Sequence, residues 1–466
     1  MSTSTSTPMT RLPLSSILGY GAGDAANNLA FALSTQFLLV YYTDAAGITA
    51  AAAGTLMLVV RVFDAFTDIV AGRIVDASYS RRWGKFRPFL LFGSVPLLLL
   101  SIATFSIPQI GHTGMLIWAY LSYALLGFAY SLVNIPFGSL AGAMTPFPSE
   151  RAKLSSARTV GGSVVGGLLG VFVTPLLVPG ADLRALFTGL TIGFAVVGFA
   201  LYLWAFFTTR ERVERTVHNV DSKQSFRTLK GNKALLMLAG STLLFLTGML
   251  AQTTGAIYYY RDVMHALNIY PIIAMLQLLL GFVVAGFVPA IVRRFGKRSA
   301  YIGATSLFVV GSVIQTFAPS GLVAVAVVGS ALGTLGIVLV NILVWALEAD
   351  TVEYGEWKTG VRTEGITYAL FSFTRKAGQA IGGAVAAYGL AVGGYVAGAA
   401  TQSGAAEWGI RVAVGIVPAI SGALAIAIMV FYPLTDKRHA QIVVEIAERN
   451  AAARGMGEPS LDRSGA

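Results

Sequence analysis

Leu56-Met57-Leu58-Val59-Val60-Arg61-Val62-Phe63-Asp64-Ala65-Phe66-Thr67-Asp68-Ile69-Val70 is an apolar run broken by one arginine and two aspartates. On a helix, positions i and i+4 share a face, so Asp64 and Asp68 point the same way, with Arg61 on or near that face. With both acids ionised the triplet carries a formal charge of about −1. A charge at bilayer depth costs about 2.5–3.5 kcal/mol on insertion scales. A chain that keeps this cluster in a membrane uses it, and a cation is what such a cluster would hold.

The rest of the chain is equally oily. Of its 466 residues 55% are apolar and 12% charged, with mean hydropathy +0.70, whereas soluble domains are about 25% charged. Apolar runs of the length that crosses a bilayer, about 20 residues, recur along the whole sequence. They predict spans near 15–42, 48–75, 86–108, 115–144, 156–179, 184–208, 232–259, 269–292, 299–318, 321–349, 363–396 and 408–432. The fold class is an all-α membrane protein with twelve transmembrane helices. The absence of cysteine excludes disulfides, and His112, His218, His265 and His439 fall in loops or the tail, so no haem or zinc constellation is legible. The net charge of +11 reads as basic loops held at one membrane face, not as a nucleic-acid partner. The polar start, MSTSTSTPMTRLPL, lacks the apolar core of a cleaved signal and reads as a cytoplasmic tail.

Loop charge alternates along the chain. One set carries Arg81 to Arg87, Arg151 and Lys153, the segment 210–233, Arg293 to Arg298, and Lys358 with Arg362; the other set is poor in lysine and arginine. The basic set is therefore cytoplasmic, together with both termini, which places the protein in a bacterial inner membrane as a functional monomer in the lipid bilayer. The long polar connection in mid-chain divides the sequence. A cytoplasmic tail covers 1–14, a six-helix half 15–208, the middle loop 209–231, a second six-helix half 232–432 and a cytoplasmic tail 433–466. A repeat supports the division: Arg81-Arg82-Trp83-Gly84-Lys85 follows the second span and Arg293-Arg294-Phe295-Gly296-Lys297 the eighth. Parallel repeats of this kind mark the two halves of major facilitator proteins. The C-terminal segment from about 436 mixes charge with Ile442, Val443, Val444 and Ile446 and predicts a short amphipathic helix.

Several local patterns line up with one family. They are Tyr20-Gly21-Ala22-Gly23-Asp24, Tyr41-Tyr42-Thr43-Asp44, the Arg61–Asp68 stretch, Arg82-Trp83-Gly84-Lys85-Phe86-Arg87-Pro88, Asn134-Ile135-Pro136-Phe137-Gly138-Ser139-Leu140, Ala349 to Trp357, and Phe431-Tyr432-Pro433-Leu434-Thr435-Asp436. From about residue 15 to 440 the chain resembles the glycoside–pentoside–hexuronide:cation symporters, the family that includes melibiose permease. The resemblance implies a sugar or glycoside substrate, H+ or Na+ as the coupling ion, no other cofactor and no enzyme activity.

It also implies roles for particular residues. Asp64 and Asp68 would ligate the cation, with hydroxyls from Thr67 and from Ser131 of the fourth span. The family often carries an amide at the position of Thr67, and a hydroxyl there favours protons over sodium. The alternative for the two acids is permanent pairing with Arg61 and other arginines. Asn28 and Asn134 stand where melibiose permease has sugar-binding aspartates; their amides still offer donor and acceptor to hydroxyls, and the change argues against a strict galactoside transporter. Tyr130 lies one turn before Asn134. Arg158 aligns with a cavity arginine, or serves as an anchor beside Arg151 and Lys153. The eleventh span contributes Ser372 and Lys376, the latter matching a lysine that links sugar and ion sites. Arg375 has two readings: it favours an anionic sugar such as a uronide, or it pairs with Asp24 or another acid. Arg82, Gly84, Lys85 and Arg87, with Asp76, read as a cytoplasmic gate locked by charge-assisted hydrogen bonds. Tyr258, Tyr259, Tyr260 and Trp118 read as membrane-interface aromatics. Two competing functions remain. A lysolipid-type or other amphiphile transporter would need an apolar lateral groove, and a non-transporting membrane sensor would have no need of Asp64 and Asp68.

Overall fold

A computed structural model describes residues 12–145, 147–178, 180–212, 231–360 and 364–455. The outer parts of the predicted tails and most of the middle loop lie outside them. Helices stand at every position the apolar runs predicted: α1 (Leu14–Val40), α2 (Ala50–Ala77), α3 (Phe89–Thr104), α4 (His112–Met144), α5 (Pro148–Val173), α6 (Leu183–Thr208), α7 (Lys233–Tyr258), α8 (Tyr270–Phe295), α9 (Lys297–Phe317), α10 (Val323–Thr359), α11 (Glu364–Gly393) and α12 (Gly404–Val430). A further helix, α13 (Asp436–Gly455), follows. Among the described residues, nine helices are long and apolar enough to cross a membrane by length and composition. α3 is shorter, and α1 and α11 carry polar residues within their runs, among them Asp24, Asn27, Asn28, Arg375, Lys376 and Gln379.

Side-chain caps start several helices. Thr49 accepts from Ala52 N before α2, Asp182 from Arg184 N and Ala185 N before α6, and Asn232 from Leu235 N before α7. α1 and α7 both end in a π turn, Tyr41–Ala45 and Tyr259–Val263, each placing an aspartate, Asp44 or Asp262, at the same register after two tyrosines. This is a second copy of the repeat that the basic loops announced.

The basic-loop repeat is also structural. Gly84 and Gly296 both take positive φ, +85° and +78°, a region that only glycine enters freely. A Cβ on Gly84 would lie 2.6 Å from the Glu211 carboxylate, and one on Gly296 2.2 Å from Asp436 Oδ2. The following lysine amides donate to those acids, Lys85 N to Glu211 Oε2 at 2.9 Å and Lys297 N to Asp436 Oδ2 at 2.9 Å. Each half thus ties its second-to-third-helix loop to an acid just past its sixth helix.

Helices α1–α6 pack mainly on one another, as do α7–α12, and α2–α11, α5–α8 and α1–α7 join the two sets. One hydrophobic cluster runs through both sets at the end holding the first loop: Phe37, Tyr41, Ile48, Tyr258, Val263, Leu390 and Ile410 belong to it. At the basic-loop end there are two clusters, one in each set. The first contains Tyr20, Phe86, Phe137 and Leu154, the second Tyr301, Leu343, Tyr432 and Ile442. The tyrosine run faces the protein interior and not lipid headgroups. Tyr258, Tyr259 and Tyr260 are buried, and their hydroxyls bond Thr43 Oγ1 at 2.8 Å, Gln315 O at 2.7 Å and Ser330 Oγ at 2.5 Å. Burial of this kind demands a partner for each hydroxyl, and each has one. The predicted C-terminal helix packs Ile442 against the end of α10, where Trp357 Nε1 donates to Glu445 at 2.5 Å and Arg449 bonds the carbonyls of Glu356 and Trp357.

Candidate functional site

Where α1, α2, α4, α10 and α11 meet, they enclose a cavity of about 240 Å3 lined by both halves of the molecule. From α2, Arg61 and Asp64 face it. Asp64 is buried, with Oδ2 3.5 Å from Arg61 Nη1. The Arg61 guanidinium lies 5.5 Å from the Phe31 ring centre and 5.8 Å from that of Tyr123, which replaces part of its lost hydration. Asp64 can lie this close to α4 because Gly127 has no side chain; a Cβ there would sit 2.1 Å from Asp64 Oδ1. That Oδ1 is buried and, among the described residues, has no hydrogen-bond partner.

One turn on, Asp68 reaches across to both neighbouring helices. Ser131 Oγ donates to Asp68 Oδ1 at 2.5 Å, and Lys376 Nζ pairs with Oδ2 from the other half of the molecule. Thr67 is not brought to the cavity; its hydroxyl donates to the Asp64 carbonyl at 3.1 Å, the back-bond a helical threonine makes.

A second polar group stands beside the cavity. Arg158 Nε donates to Asp24 Oδ1 at 2.8 Å and Arg158 Nη2 to Asn134 Oδ1 at 3.3 Å. Asn28 Nδ2 donates to Asp24 Oδ2 at 3.0 Å. Gly162 gives them room, since a Cβ there would lie 2.7 Å from Asp24 Oδ2. Asn134 and Tyr130 line the cavity directly, with Tyr130 stacked on Phe31 at 5.3 Å, whereas Asn28 and Arg158 support that wall from behind. The third wall belongs to the second half: Trp345, Tyr368, Ser372, Arg375, Lys376 and Gln379. Arg375 lies 5.1 Å over the Trp345 ring.

The structure therefore gathers Arg61, Asp64, Tyr130, Ser131, Asn134, Ser372 and Lys376 around one space, with Asp68 bridging two of its walls. Asp24, part of the Tyr20–Asp24 pattern and one of the partners expected for Arg375, pairs with Arg158 instead. A charge within a span must find a partner or water, but which acid meets which arginine depends on which helices touch. Gly127, Trp345, Tyr368 and Gln379 carried no signal beyond membership of an apolar run.

The expected gate residues lie elsewhere, in the Arg81–Arg87 loop. Glu211 accepts from the amides of Lys85, Phe86 and Arg87 at 2.9, 2.7 and 3.1 Å, and Arg87 Nη2 donates to Phe206 O at 2.7 Å. Arg82 stacks on Trp83, and Gly84 makes room for Glu211. These bonds fasten the loop to α6 of its own half through Glu211 and Phe206. The side chain of Asp76 lies outside the described residues.

The family model for "MFS/sugar transport protein" matches residues 19–436. The chain is 44% identical over 437 residues to the "Glucuronide carrier protein homolog" of Escherichia coli (strain K12), covering 93% of this chain and 95% of the relative. It is 32% identical over 456 residues to the "Isoprimeverose transporter" of Lactiplantibacillus pentosus, covering 96% and 94%. Among solved structures it is similar to the nucleoside transporter NupG, with TM-score 0.63 and 13% identity over 90% of this chain and 98% of that one, a likeness of fold. A helical membrane architecture, a polar cavity between two six-helix sets and a match over most of its length agree: the chain belongs to the MFS/sugar transport protein family and is a membrane transporter, not an enzyme.

Proposed function

We propose that the chain is a secondary active symporter that couples sugar or glycoside uptake to a cation by alternating access, with twelve spans, both termini cytoplasmic and the protein in a bacterial inner membrane. The carrying observation is the pair of acids in α2. One oxygen of buried Asp64 has no donor, while Asp68 is held by Ser131 of α4 and Lys376 of α11. A buried carboxylate oxygen without a donor is a seat for a proton or a metal ion. Arg61 and Lys376 already balance the two carboxylates, and Thr67 spends its hydroxyl hydrogen on its own helix. A set of charges balanced in this way favours the proton over sodium, which would need several uncommitted oxygens.

Neutral polar groups for sugar hydroxyls converge from Asn134, Tyr130, Ser372 and Gln379. The names of the two relatives, a glucuronide carrier homolog and an isoprimeverose transporter, support a sugar. Because Lys376 joins the ion-site acid to the sugar cavity across the two halves, occupation of either site changes the same contact, and such coupling is reciprocal. The shared hydrophobic cluster at the first-loop end and the divided clusters at the basic-loop end fit a state open to the cytoplasm.

Membrane vesicles with imposed proton or sodium gradients test the reading against a panel of labelled glycosides, pentosides and hexuronides. At least one sugar accumulates uphill, and the proton gradient drives it. Failure of every sugar to accumulate, with a lysolipid moved instead, would overturn the proposal.

A further inference from the structure

Three carboxylates stand in or beside the cavity, and each has its own cation: Asp24 with Arg158, Asp64 with Arg61, and Asp68 with Lys376. Arg375 is a fourth cation facing the same space. Among the described residues no carboxylate lies within salt-bridge distance of it, and its Nη1 is buried without a hydrogen-bond partner. Its guanidinium carbon lies 5.1 Å from the centre of the Trp345 ring, which itself stacks on Tyr368 at 5.9 Å. An aromatic face holds a guanidinium by cation–π attraction and takes none of its N–H hydrogen bonds, which are left for an oxygen partner.

A cation at membrane depth is ordinarily paired, wet or engaged in function. Arg375 is not part of the ion-coupling pair, because Lys376, the next residue, turns to α2 while Arg375 turns to α10. Ser372 and Gln379, three residues before and four after it, line the same cavity from the same helix and offer a hydroxyl and an amide beside it.

We propose that Arg375 is the anion-binding residue of the central site, so that the transported sugar carries a carboxylate or sulfonate group that completes the missing pair. This rests on the symport reading and narrows its substrate. A planar guanidinium accepts either group through two parallel N–H···O bonds. The neutral walls at Asn134 and Tyr130 are left for ring hydroxyls. A neutral sugar leaves Arg375 without its counter-charge and is the poorer substrate.

The test uses the full chain in proteoliposomes under an imposed proton gradient with three labelled sugars: an aryl glucuronide, the aryl glucoside bearing a hydroxymethyl group in place of the carboxylate, and a hexose sulfonated at C6. Wild type takes at least one acid with a kcat/KM about tenfold or more above that for the glucoside, and the acid it favours separates carboxylate from sulfonate. In Arg375→Gln the ratio of acid to neutral sugar falls about tenfold or more, mainly through KM. Arg375→Lys, which keeps the charge and loses the fork, falls between. An unchanged ratio in Arg375→Gln, or a wild-type preference for the glucoside, overturns the proposal and leaves the symport reading standing. If wild type accumulates none of the three, uptake does not read the acid preference, and the panel of sugars under Proposed function decides the symport reading. Calorimetric binding to the solubilised protein then decides Arg375 separately: loss of acid binding in Arg375→Gln upholds its role, and wild-type affinity, or no acid binding by wild type, removes it.

Discussion

The two ends of the molecule handle their charges in opposite ways. At the first-loop end, the outer end in the proposed topology, acids from both halves share one cation. Arg261 bonds Asp44 of the first half at 2.5 Å and Asp262 of its own half at 3.0 Å. Tyr395 closes the ring by accepting from Arg261 at 2.5 Å and donating to Asp44 Oδ1 at 2.9 Å. At the basic-loop end three acids are answered within their own half: Glu211 by the amides of 85–87, Asp350 by Lys297 at 2.6 Å, and Glu353 by His439. The hydrophobic clusters divide in the same way, shared at one end and separate at the other. A transporter that rocks two rigid halves must break whatever joins them on the closed side, while bonds within a half survive every state. The contrast thus separates the bonds that gate from the bonds that merely hold.

Breaking the outer ring should have the largest effect. Arg261→Ala leaves Asp44 and Asp262 buried without their cation, a loss of about 3–5 kcal/mol for a buried pair. The chain has no cysteine, so a single Ser34→Cys in the cavity wall reports access cleanly. Its labelling from outside by an impermeant thiol reagent should speed up about tenfold or more in Arg261→Ala; an unchanged rate would mean the ring does not gate. Glu211→Gln attacks the other kind of bond. It weakens three amide contacts inside one half, for about 1–3 kcal/mol. Its melting temperature should fall by several degrees with Ser34→Cys labelling unaltered, and faster labelling would erase the distinction between the ends. Tyr388→Phe removes only the exposed cross-half bond to Thr55, 2.8 Å long. An exposed hydrogen bond lies at the low end of the net range, about 0.5 kcal/mol, so labelling should change by less than about threefold.

Much of this architecture was legible because apolar length is a one-dimensional signal. Each predicted span coincides with a helix, and the Gly84 and Gly296 loops share a positive φ and a lysine amide bonded to a distant acid. The acids Glu211 and Asp436 that complete those loops were missed, since each lies more than a hundred residues from its partner amides. The second repeat, Tyr41-Tyr42-Thr43-Asp44 against Tyr259-Tyr260-Arg261-Asp262, was in plain view but was read as family pattern and interface aromatics. Burial, not composition, distinguishes a tyrosine that bolts two helices from one that sits among headgroups. In the site, Asp64, Asp68 and Lys376 were legible from the cost of charge in lipid. The Asp24–Arg158 pairing was not, because choosing among several acids and arginines requires knowing which helices touch.

The central claim is that the Asp68–Lys376 contact couples ion to sugar across the two halves. Uphill accumulation of a labelled sugar by Asp68→Cys, in vesicles where wild type concentrates it under a proton gradient, addresses this most directly. Accumulation should be abolished while exchange of the sugar at equal concentrations on both sides persists. Undiminished accumulation in Asp68→Cys would contradict the account.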